Sequence, residues 1–149
     1  MEMKTIIIIS TMAAIIVGVK IWGGNIPNPY RSRGCMGRKW KQEFPHVSKE
    51  EIGKFLHIFT EAFAFNPGKK LKFGPQDEII EIYSALYPFK GADALEVETL
   101  AEEIENVYSV DFDQIWKENL TLGELFDFVI CAQQGASPDG NYAALHCRR

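Results

Sequence analysis

Residues 93–112, DALEVETLAEEIENVYSVDF, decide the reading of the fold. Val97, Leu100, Ala101, Ile104, Val107 and Tyr108 recur at three- and four-residue intervals, which puts them on one side of an α-helix. Glu96, Glu98, Thr99, Glu102, Glu103, Glu105 and Asn106 take the other side. The spacing therefore predicts an amphipathic helix with a strongly acidic outer face.

On either side of it lie further helix signals. Ser48 and Glu51 have the spacing of a capping box, Val47 and Ile52 that of a hydrophobic staple, and Ile52, Phe55, Leu56, Phe59, Ala62 and Phe63 continue as a stripe until Asn66-Pro67-Gly68 stops it. Lys69 to Phe73, KKLKF, reads as a loop or a single extended turn. Gly74 and Pro75 suit a helix start, and Ile79, Ile80, Ile82, Tyr83, Leu86 and Tyr87 form an apolar face that Pro88 closes. After the acidic helix, Ile115 and Trp116 sit in a short helical turn. Thr121 with Glu124 makes a second capping box, and Leu122, Leu125, Phe126, Val129 and Ile130 complete a last helix.

The acidic stretch resembles helix II of acyl carrier proteins, in which an Asp-Ser-Leu triplet opens the helix and a hydrophobic-acidic-hydrophobic run follows it. Asp93 and Leu95 match the triplet, Tyr108 falls on the usual aromatic position, and Val110-Asp111-Phe112 match the closing run. The helix after Pro75 takes the place of carrier helix I, and the threonine start and apolar spacing after Leu120 resemble the last carrier helix. The resemblance implies an all-α fold, a small acyl-carrier-protein-like bundle, to which the helix after Ser48 adds a preceding helix and the apolar run at the amino terminus an N-terminal transmembrane helix.

Ala94 stands where a carrier has its serine. A methyl group offers no oxygen to esterify with phosphopantetheine, so the carrier chemistry is not inherited at this position and no cofactor is expected. In carriers helix II is the surface that basic patches on partner enzymes recognise. The resemblance thus makes Glu96, Glu98, Glu102, Glu103 and Glu105 candidate partner-binding residues, with Glu96, Glu102 and Glu103 pointing outward.

The chain has 149 residues and a formal net charge of -4, and the charge is unevenly spread. No acid occurs between Glu2 and Glu43, whereas that interval holds Lys4, Lys20, Arg31, Arg33, Arg38, Lys39 and Lys41. An acidic folded part would repel phosphates, which argues against nucleic acid as its partner. Thr5 to Val19 is apolar apart from Ser10 and Thr11, and with Lys20 reaching to the headgroups the usable run is 5–22. At ~1.5 Å per residue it covers about 27 Å, close to the roughly 30 Å of a bilayer core. No small-x-small cleavage site follows at Lys20-Ile21-Trp22, so it reads as an anchor rather than a cleavable leader. The basic residues behind it place the folded part in the cytoplasm and the amino terminus outside, in a single-pass inner or plasma membrane protein.

The expected organisation is an anchor over 1–22, a basic linker over 23–45, a helical bundle over 46–131 with 75–130 carrier-like, and a mobile tail over 132–149. Trp40 and Phe44 are expected to dock from the linker as an edge of the core. Cys35, Cys131 and Cys147 are an odd number at irregular spacing, which reads as reduced thiols in a reducing compartment. His46, His57 and His146 are scattered, and neither a catalytic nor a metal-ligating constellation is expected.

The expected function is a non-enzymatic, membrane-anchored domain that binds a basic protein partner through the helix at 95–108. Two alternatives stand beside it. One is a genuine carrier or lipid-metabolism accessory protein using another attachment residue, the other an immunity protein masking a basic toxin.

Overall fold

The structure, a computed structural model, describes residues 24–88 and 94–134. The expected anchor at 5–22, Asp93 and the tail from residue 135 lie outside the described residues. Within them the chain is all-α. Helix α1 is Gly37–Glu43, α2 Lys49–Ala62, α3 Ile79–Leu86, α4 Leu95–Tyr108 and α5 Leu122–Gln133, with 3-10 helices at Tyr30–Ser32, Pro67–Lys72 and Phe112–Gln114. No described helix is long and apolar enough to cross a membrane.

Both capping boxes form. Glu51 N–H donates to Ser48 Oγ and Ser48 N–H to Glu51 Oε2, each at 3.1 Å, so two amides that a helix start leaves without partners are satisfied. Thr121 and Glu124 repeat the arrangement at the start of α5, again at 3.1 Å for both bonds. Helix α2 then buries Ile52, Phe55, Leu56, Phe59 and Ala62, with Ile58 added on a second side. Such a wide apolar arc has to be covered from two directions. Helix α4 packs on it, and so does the 3-10 helix Pro67–Lys72.

Residues 24–45 form no linker. Ile26, Tyr30, Trp40 and Phe44 are buried, and the Trp40 ring lies 5.9, 6.1 and 5.7 Å from the rings of Phe44, Phe55 and Phe126. Its indole N–H donates to Phe73 O at 2.9 Å, which satisfies the one polar atom of a fully buried side chain. Trp40 and Phe44 do dock as expected, at the centre of the core rather than its edge. At the beginning of this segment Gly24 N–H donates to Ala64 O at 2.6 Å, pairing the chain with the end of α2. The segment has no sequence period because it contributes isolated anchors, not a continuous face.

Two more expectations change. The KKLKF stretch is largely a 3-10 helix, started by Asn66, whose Oδ1 accepts from Gly68 N–H at 2.9 Å. Residues 74–78 are not helical, because their backbone groups are used to join the start of α5. Gly123 N–H donates to Pro75 O, Leu122 N–H to Asp77 O and Ile79 N–H to Leu120 O, at 2.8, 2.9 and 3.0 Å.

The cysteines also differ from a set of reduced thiols. Cys35 is free and exposed, but Cys131 is disulfide-bonded. Spacing along the chain does not register which sulfurs the fold brings together.

Candidate functional site

Helix α4 carries the candidate surface. Leu100, Ile104 and Tyr108 are buried, with Val97 and Ala101 half-buried beside them. That row fixes the helix on α2, α3 and α5 and leaves the opposite side to solvent. Glu96 and Glu98 fall in the first turn, where carboxylates meet the positive end of the helix dipole. At the other end Ser109 turns the chain with φ 57°, a left-handed C-cap whose N–H donates to Glu105 O at 2.9 Å.

The five glutamates separate into two groups. Glu98, Glu102 and Glu103 are exposed and form no ion pair among the described residues. Glu96 is half-buried instead of pointing outward, and it accepts a hydrogen bond from the Tyr87 hydroxyl while its Oε2 is buried. Glu105 is exposed, yet its Oε1 accepts from Phe112 N–H at 3.3 Å and so supports the turn after the helix. Three of the carboxylates are thus exposed without an ion pair among the described residues, while Glu96 and Glu105 are engaged in hydrogen bonds to Tyr87 and to the turn after the helix.

Ala94 is exposed and occupies the N-cap of α4, where it makes no side-chain capping bond. A serine here would have a hydroxyl to cap the helix or to be esterified; alanine leaves the position without either.

Periodicity missed the apolar component of this surface. Leu95 is 57 % and Val107 38 % exposed, although Val107 belongs to the apolar stripe by spacing. Leu95 is one helical turn from Glu98, and Val107 one turn from Glu103, so each end of the acidic face has a bare aliphatic side chain beside it. Trp116, stacked on Phe112 with ring centroids 5.6 Å apart, is 36 % exposed.

Among the described residues no group of three or more His, Cys, Asp or Glu side chains converges as metal ligands would. His57 is a surface residue whose Nε2 lies 3.5 Å from Glu61 Oε1. The chain matches no protein-family model, no curated protein and no solved structure.

Proposed function

We propose that this is a non-enzymatic, carrier-like helical domain, tethered to a membrane through residues 5–22, that docks a basic protein partner on the outer face of α4. The carrying observation is the set of exposed carboxylates at Glu98, Glu102 and Glu103, without an ion pair among the described residues and flanked by the exposed side chains of Leu95 and Val107. Charge of this kind accelerates encounter and excludes acidic competitors, and the flanking aliphatic groups supply contact once the surfaces meet. Ala94 supports a docking role over a carrying one, since the helix keeps its acidic face and lacks the hydroxyl that acyl transfer needs.

The disulfide at Cys131 favours oxidising surroundings for the folded part, the reverse of the orientation that the flanking positive charges suggest. Labelling of Cys35 by a membrane-impermeant maleimide in intact cells decides between the two sides.

The docking reading is tested by co-purification of the full chain from membranes. E102K/E103K is expected to lose its captured partner while keeping the melting temperature of the parent, and capture that survives the reversal sinks the reading. Incubation with a phosphopantetheinyl transferase is expected to leave the intact mass unchanged. A gain of one prosthetic arm establishes a carrier with a different attachment residue.

A further inference from the structure

A second charged feature lies away from the acidic face. Helix α1, the first half of α2 and the 3-10 helix Pro67–Lys72 enclose an open cleft of about 750 Å³. Its lining carries Arg38, Lys49, Lys54 and Lys70, joined by His57, with Glu50 the one carboxylate among them. None of these four basic side chains forms an ion pair among the described residues, and Lys54 Nζ lies over the Tyr108 ring, 5.3 Å from its centroid. Lys41, at the same cleft, donates to the carbonyls of Pro45 and Val47 at 3.0 and 2.6 Å. Cations gathered round one hollow give it a positive potential, which favours the entry of an anion.

The floor points the same way. Gly53 lies inside α2, where glycine costs roughly 1 kcal/mol against alanine. A Cβ at that position would meet only Lys70 Nζ, at 3.8 Å, so nothing in the packing of the protein requires its absence. What glycine preserves is open space beneath the Lys70 ammonium. Ile52 and Leu71 add an apolar wall, and Leu71 is 37 % exposed. The volume lies in the range of roughly 300–1,000 Å³ typical of small-molecule sites and exceeds what a bare inorganic anion fills.

We infer that this cleft binds an organic phosphate bearing at least two negative charges, its phosphate between Lys49 and Lys70 and its uncharged part against Leu71. The lining of the cleft includes none of the glutamates of the α4 face. Two sources share this chemistry, a soluble nucleotide and the headgroup of a phosphomonoester lipid.

Isothermal titration of the full chain at roughly 0.15 M salt, where exposed charges more than about 8 Å apart are screened, separates them. The probes are ATP, short-chain dihexanoyl phosphatidic acid, and dihexanoyl phosphatidylcholine as the zwitterionic control. Binding of ATP assigns the soluble source, and binding of phosphatidic acid the lipid. In either case K49E/K70E is expected to weaken the interaction by at least about tenfold at an unchanged melting temperature, whereas K39E/K69E, an equal charge reversal outside the cleft, leaves it intact. No heat with ATP or phosphatidic acid, equal binding of phosphatidylcholine, or equal loss in the two reversals overturns the inference.

Discussion

Arg33 Nη1 lies 2.6 Å from Asp77 Oδ1 and 2.8 Å from Oδ2, which pins the segment before α1 to the loop before α3. Asp77 is 8 % exposed and also accepts from Gly74 N–H at 2.6 Å. One carboxylate thus serves a guanidinium and a backbone amide. D77A removes both bonds and leaves the amide without its acceptor, an expected loss of about 1–3 kcal/mol in urea unfolding. Because the two residues share one interaction, R33A/D77A is expected to cost less than the sum of the single variants. Strict additivity would show that the pair contributes nothing as a pair.

Two glycines should respond in opposite directions. A Cβ on Gly123 would sit 2.7 Å from Pro75 O and 2.9 Å from Pro75 Cβ, too close for any carbon, so G123A must push apart the junction between α5 and the loop before α3. The expected cost is about 1–3 kcal/mol. G53A, with room for its methyl, is expected to raise stability by up to about 1 kcal/mol. Denaturant melts of the two variants beside the parent give both signs at once.

Alkaline pH should act through Tyr30. Its ring is buried, packed 5.4 Å from Phe73 and under the Arg33 guanidinium, with Cζ 4.6 Å from the ring centroid. Burial, aided by Asp77 and Glu81, raises the phenol from 10.0 to about 12. A raised value means that the folded state holds the proton more tightly, so the contribution is complete below pH 10 and is lost as pH climbs through about 12. Y30F should remove this part of the alkaline loss of stability, read as a shallower slope of unfolding free energy over that window. An identical slope would mean that Tyr30 does not govern it.

Thiol chemistry checks the cysteines. Under non-reducing conditions a maleimide is expected to modify Cys35 in the folded protein, and Cys131 only after reduction. Peptide mapping by mass spectrometry reads both sites. Modification of Cys131 without reductant would remove the argument for an oxidising compartment.

The helices that announced themselves carry their own local signals. Ser48-to-Glu51 and Thr121-to-Glu124 each specify a helix start through atoms three residues apart, and the apolar rows at 52–62 and 97–108 have a period that needs no knowledge of the rest of the chain. The docking of Trp40 was expected, but its central position depends on Phe55 and Phe126, which no local spacing brings to it. The same limit hid the cleft: Arg38, Lys49, Lys54 and Lys70 come from three elements and look like ordinary surface charge until those elements meet. Glu96 shows the converse. Its place on the acidic face was readable, but the hydroxyl of Tyr87 that bonds it comes from the C-cap of α3.

The bond from Gly24 to Ala64 has a mechanical meaning. With Ile26 and Tyr30 sunk in the core directly behind it, the bundle grips the chain at its first described residue and leaves no slack between that point and the helices. From Gly24 onward the chain is tied into the bundle, so the direction in which Glu98, Glu102 and Glu103 face relative to that point is set by the fold.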